Sequence, residues 1–220
     1  MEPFHQCLAL GPIAIYLLIL GMINLGRRPL VVSGTRDAAV LGLAVSGLLA
    51  IGPLALLFPE AIASRLGPHG VQWVWGVLLV ACVLGLVLGP LALRPRLVIY
   101  NISADEVRLA LADLVDRLDP AARWAGDSLA MPTLGVQLHI DNARSMRNVV
   151  LASSGPKQDH QGWTRLEASL TVALRRLDVP RNPRGVTLLS LGLLLVAALA
   201  WTIAANPQAI ARDVLDLLKM

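Results

Sequence analysis

The chain has 220 residues, 55% of them hydrophobic and only 15% charged, with a mean hydropathy of +0.64. Ordinary globular chains carry about 25% charged residues, so this excess needs either a very large core or a bilayer, and the length favours the bilayer. A net charge of +4 and a pI near 9.7 would suggest nucleic acid in a soluble protein, but the arginines stand beside apolar runs, which points to anionic lipid headgroups instead.

Taken in chain order, four stretches free of Asp, Glu, Lys, Arg and His reach the roughly 20 residues that cross a hydrocarbon core as a helix. They are Leu8–Leu25, Ala38–Phe58, Val71–Leu93 and Val186–Ala205, and they predict transmembrane helices over 8–25, 38–58, 71–93 and 185–205. The leader Met-Glu-Pro-Phe-His-Gln lacks the basic start and small-residue cleavage site of a signal peptide, so the first run is expected to stay as a span. Cys7 and Cys82 fall at different depths of two runs, which makes them packing residues rather than a disulfide. The first loop holds Arg27, Arg28 and Arg36, whereas the second holds Arg65 balanced by Glu60. Arg94 and Arg96 follow the third run, and Arg175, Arg176, Arg181 and Arg184 precede the fourth. All basic clusters then lie on one side, which the positive-inside rule makes cytoplasmic, with both termini outside. Phe4, Phe58, Trp73, Trp75 and Trp201 fall near the opposite boundary, where aromatic rings anchor.

Between the third and fourth runs, residues 94–184 form a cytoplasmic module. Leu97–Ile102 reads as a strand, and Ser103-Ala-Asp-Glu106 as a capping box. Val107, Ala110, Leu111, Leu114, Val115 and Leu118 follow at helical spacing, and Asp119-Pro120 stops that helix. Arg123–Ala125 and Ser128–Met131 flank a turn at Gly126-Asp127. Leu134, Val136, Leu138 and Ile140 alternate with Gly135, Gln137, His139 and Asp141, as in a half-buried antiparallel strand. Arg147–Ala152 reads as another strand, and Trp163, Leu166, Leu170, Ala173, Leu174 and Leu177 as one face of a second helix. The expected order is β-α-β-β-β-α, a small α+β domain with both helices on one face of an antiparallel sheet, loosely ferredoxin-like. The tail, 206–220, predicts an amphipathic helix with Ile210, Val214, Leu217 and Leu218 on one side, lying along the outer surface or packed on a partner.

The motifs carry little chemistry. His139 and Asp141 share a strand face, and an acid–base or metal role competes with a plain solvated face. Asp159-His160 lies in a Ser-, Gly- and Lys-containing loop, 153–162, which could cradle phosphate but lacks Walker spacing. Small residues recur every fourth position at Ala38, Gly42, Ser46 and Ala50, and at Ala81, Gly85 and Gly89, a spacing that lets helix backbones approach. Gly-Pro-[Leu/Ile]-Ala-[Leu/Ile] occurs at 11–15, 52–56 and 89–93, with prolines able to kink helices. The apolar runs hold no ionisable group, which counts against an ion-coupled transporter.

These readings favour a non-catalytic integral membrane anchor, scaffold or accessory subunit of a larger complex in a bacterial inner membrane, without cofactor or metal. The module would bind a protein partner or a second copy. Arg27, Arg28, Arg94, Arg96, Arg175, Arg176, Arg181 and Arg184 would contact lipid headgroups, and Gly42, Ser46, Gly85 and Gly89 would pack helices. A small permease or channel subunit is the alternative. A membrane-surface enzyme using His139 and Asp141, or His160, is the third.

Overall fold

Alternation builds the α/β part of the molecule. In the computed structural model, which describes residues 3–51, 70–143 and 147–218, Val136, Leu138 and Ile140 are buried while Gln137, His139 and Asp141 are exposed. They belong to strand β5 (Val136–Ala143), which turns one face to a core and the other to solvent. Five further strands join it: β1 (Leu30–Ser33), β2 (Arg96–Tyr100), β3 (Arg123–Ala125), β4 (Ser128–Met131) and β6 (Asn148–Ser153). The sheet order is β1-β2-β6-β5-β4-β3, with every neighbouring pair antiparallel. Strands β3 to β6 form a meander. Its first turn places Gly126 at φ +62, a conformation that glycine adopts without a Cβ penalty.

The helices, among the described residues, are α1 (Pro3–Leu25), α2 (Gly34–Ile51), α3 (Gly70–Leu91), α4 (Ala104–Leu118), α5 (His160–Leu174), α6 (Arg184–Ala205) and α7 (Pro207–Leu218). Helix α4 starts at the capping box read from the sequence. Ser103 accepts from the Glu106 N–H, and the Glu106 carboxylate accepts from the Ser103 N–H. Val107, Leu111 and Val115 of α4 and Trp163, Leu166, Leu170 and Leu174 of α5 close over Leu97, Ile99, Leu129, Met131, Val136, Leu138, Ile140, Val149 and Leu151 in one cluster. Both helices therefore cover the same sheet face.

The chain divides into two units. One holds Leu20–Ala38 and Pro90–Thr187, and the other Met1–Ile19, Ala39–Gly89 and Leu188–Met220. The first unit therefore takes β1 and its flanks in addition to the whole of the module expected over 94–184. In the second unit glycines mark close helix approaches. A Cβ at Gly47 of α2 would overlap the Leu8 carbonyl oxygen of α1, and one at Gly192 of α6 would come within 2.9 Å of Leu18 Cδ2.

The expected architecture of four transmembrane helices with a β-α-β-β-β-α insert is corrected on both counts. Among the described residues only α1 and α6 are long and apolar enough to cross a membrane. The second expected span, 38–58, is displaced: its helix begins at Gly34 and carries Arg36 and Asp37 in the first turn, and residues 52–58 lie outside the described residues. The third, 71–93, coincides with α3 only as far as Leu91, and many side chains of α3 also lie outside them. The sheet has six strands, four of them between α4 and α5, in an order unlike the ferredoxin-like arrangement. Counting uncharged residues could not reveal that the sheet recruits Leu30–Ser33, a four-residue segment between Arg28 and Arg36, as its edge strand. Strand pairing depends on the partner, β2, and leaves almost no periodic trace in so short a run.

Candidate functional site

A helix ends with four carbonyls that its own backbone cannot satisfy. At the C-terminus of α1 the first unit supplies the donors. The Asn24 carbonyl accepts from the Asn182 N–H at 3.1 Å, and the Arg27 carbonyl from the Val179 N–H at 2.8 Å. The Gly26 carbonyl accepts from Asn101 Nδ2 at 2.7 Å. Asn101 reaches it from the end of β2 with φ +60, a left-handed conformation that asparagine tolerates better than most residues.

Asn24 itself is fully buried. Its Nδ2 donates to the Leu20 carbonyl at 2.8 Å, and its Oδ1 accepts from Asn182 Nδ2 at 3.0 Å. Asn182, also buried, turns its own Oδ1 to the N–H of Arg184, the first residue of α6. One asparagine thus serves the end of one apolar helix and the start of the other. The two backbones meet at Gly185, where a Cβ would lie 3.0 Å from the Gly21 carbonyl oxygen. The strap at 178–182 is further held by Arg147, whose Nη1 donates to the Pro180 carbonyl at 3.2 Å while Nη2 pairs with Glu106 at 3.2 Å.

Beside this joint Arg27, Asp178, Val179, Pro180 and Arg181 line an open hollow of about 420 Å³. Arg27, Arg28, Arg94, Arg175, Arg176, Arg181 and Arg184 are all exposed, and Arg27 and Arg181 share this hollow. Arg96 differs. It is half-buried on β2, its stem lies so close over Gly34 that a Cβ there would overlap it, and its Nε is buried without a partner. In the other unit, a Cβ at Gly42 would lie 2.9 Å from Leu86 Cδ2 of α3, whereas one at Gly85 or Gly89 would meet nothing within 4 Å among the described residues. The Ser46 hydroxyl donates to the Leu43 carbonyl of its own helix at 2.8 Å.

The residues considered for catalysis are not brought together into a site. His139 Nδ1 lies 3.1 Å from Ser128 Oγ across the β4–β5 pair, but the pair is exposed. An exposed pair of this kind does not shut water out. Asp141 is exposed on the same face, opposite Val150. His160 opens α5 and is exposed. The 153–162 loop leads into the start of α5. Asp159 caps α5 by accepting from the Gln161 and Gly162 N–H groups, so a carboxylate already occupies the place an anion would take. Gln158 ties the rest of the loop down, donating to the Gln137 and Ser154 carbonyls and accepting from Trp163 Nε1. No group of three or more His, Cys, Asp or Glu able to hold a metal occurs among the described residues.

Sequence reasoning missed Asn101, Arg147 and Asn182. The Asn182-Pro183 dipeptide, a common turn and helix-start signal, was the available clue for one of them. Asn101 and Arg147 act through tertiary contacts that no local pattern encodes. Comparison with protein-family models, with characterised proteins and with solved structures finds no match.

Proposed function

We propose that this chain is a membrane-anchored, non-catalytic protein whose α/β unit is held at the bilayer surface, where it serves as an accessory or scaffolding subunit for a protein partner. The observation that carries the reading is α6. It holds ten Leu, Val and Ile residues over 186–205 and no charge. Val186, Leu191, Leu193, Leu194, Val196, Trp201 and Ile203 are all strongly exposed. A soluble core helix would bury such residues, and a helix apolar all round is stable only in protein or lipid. At about 0.3–0.6 kcal/mol per central residue, these ten favour insertion by roughly 3–6 kcal/mol. The lengths agree: 22 and 23 residues give about 33–35 Å of helix, against a hydrocarbon core of about 30 Å.

Arg27 and Arg28 follow α1, and Arg181 and Arg184 flank the start of α6. Arginines at those ends favour the orientation in which the sheet and residues 94–184 face the cytoplasm, with their guanidinium groups at anionic headgroups. The test is alkaline extraction of membranes from expressing cells, together with a reporter active only outside the cytoplasm fused at Lys157. Retention in the pellet with a silent reporter is expected. Release into the supernatant would end the membrane reading, and an active reporter would invert the orientation.

A further inference from the structure

We infer that α7 is an interfacial helix whose apolar side beds into the headgroup boundary of the membrane that α6 enters. The inference rests on the membrane reading of α6 and adds the occupant of the α7 face. Three observations carry it.

The first is the junction. Helix α6 ends at Ala205 and α7 begins at Pro207, with Asn206 between them outside either helix. Asn206 closes α6, its N–H donating to the Thr202 carbonyl at 3.2 Å and its Nδ2 to the same oxygen at 3.2 Å. Its own carbonyl then accepts from the Ile210 N–H and starts α7. Proline at the first helical position has no N–H to continue the ladder from α6, so the junction frees α7 from the axis of α6.

The second is depth. Trp201 is 77% exposed, and tryptophan concentrates at the headgroup level of spanning helices. Asn206 stands five residue steps beyond it, a rise of about 7–8 Å, which matches the thickness of one headgroup layer. The chain therefore restarts as a helix within that layer.

The third is the pattern. At helical spacing Ile210, Val214, Leu217 and Leu218 fall on one side, with Gln208, Arg212 and Asp216 opposite. Arg212 is exposed, and so is Leu215, which falls beside Gln208 on the polar side. Over Pro207–Leu218 the sequence sets Arg212 against Asp213 and Asp216, so the helix carries no excess of positive charge. Apolar burial alone must then hold the helix, and the association requires neither anionic lipid nor low salt.

The test uses the full chain, with Cys7 and Cys82 replaced by alanine, reconstituted in phosphatidylcholine vesicles. An environment-sensitive fluorophore is attached at Leu194→Cys, Ile210→Cys or Arg212→Cys, and quenching by lipid-borne and by aqueous quenchers is compared. Expected is severalfold stronger lipid quenching at 194 and 210 than at 212, unchanged when anionic lipid or salt is added. If 194 is quenched from lipid while 210 and 212 are equally open to water, the interfacial helix is overturned and the membrane reading of α6 stands. Water access at 194 as well overturns both. Shielding at 210 that disappears on dilution into excess lipid assigns the face to a second copy and overturns the inference. A demand for anionic lipid does the same to its charge argument.

Discussion

Asn24 and Asn182 form a buried polar pair whose worth depends on both members. Truncating Asn182 takes from the buried Asn24 Oδ1 the amide that donates to it, at a cost of about 1–3 kcal/mol, whereas replacing both by apolar residues removes that acceptor together with its donor. Asn182→Ala is therefore expected to lower thermal stability in detergent, and Asn24→Leu with Asn182→Leu to cost less than the sum of the two single changes. A strictly additive double variant would show that the pair is not coupled. Two carboxylates set the acid limit in a similar way. Burial works against the charge of Asp119, but donations from Thr133, Ala121 and Leu134 outweigh it and hold its carboxyl below the usual value. Burial also opposes the charge of Glu106, and Ser103 and Arg147 outweigh it in turn. A carboxyl lowered in the folded state adds stability above its unfolded value, and that stability is lost as pH falls through the folded one. The melting temperature should therefore be level from neutrality down to about pH 5 and fall below about pH 4. Asp119→Asn should start lower at neutral pH and fall less steeply in acid, and parallel curves for the two proteins would remove Asp119 from the account.

At the level of the element, α5 meets the sheet through one glycine. A Cβ at Gly162 would overlap the Leu134 carbonyl oxygen and approach Val136 Cγ2 to 2.9 Å. The obstacle is backbone, which cannot swing aside as a side chain can, so Gly162→Ala should cost about 1–3 kcal/mol or more by overpacking. Leu151→Ala, in the fully buried centre of β6, should cost about 2–5 kcal/mol through the cavity it leaves. Urea unfolding of both variants, followed by circular dichroism, checks the magnitudes, and a change within about 0.5 kcal/mol at either position would contradict the packing described. These elements differ in how legible they were. The α4 capping box and the β5 alternation are local patterns; the box stands where its residues indicated, and the strand starts two residues later, at Val136, because Leu134 and Gly135 belong to the turn before it. Gly162 showed only that a glycine was there, because the reason lies in Leu134, far along the chain. Strand β1 was hidden for a similar cause: Leu-Val-Val-Ser has too few residues for a period, and becomes a strand through its pairing with Leu97–Tyr100. The arginines were visible as a composition, but which two share a hollow depends on the 178–182 strap.

For the whole molecule, the proposed orientation depends on charge at the ends of α1 and α6, and it can be moved without disturbing the core. Arg27, Arg28, Arg181 and Arg184 are exposed. The hydrogen bonds that seat the joint use the backbone of Arg27 and Arg184 and leave their guanidinium groups out. Replacing all four by glutamine should therefore leave the sheet folded while removing much of the positive bias beside both helices. A basic residue near an anionic surface contributes about 1 kcal/mol, so four of them amount to roughly 4 kcal/mol of preference. That is large enough to fix one topology and, once lost, to let two compete. In the fusion at Lys157, the quadruple variant should give a mixed population, part of it with the reporter active outside, while the parent stays silent. Glutamine at Arg108, Arg117, Arg123 and Arg165 removes the same charge from positions away from those helix ends. That control should leave the reporter silent, because orientation responds to arginines close to the spans and not to net charge. If both quadruple variants behave alike, the end-flanking arginines have no special part in orientation, and α1 and α6 would have to take their direction from the folded α/β unit alone.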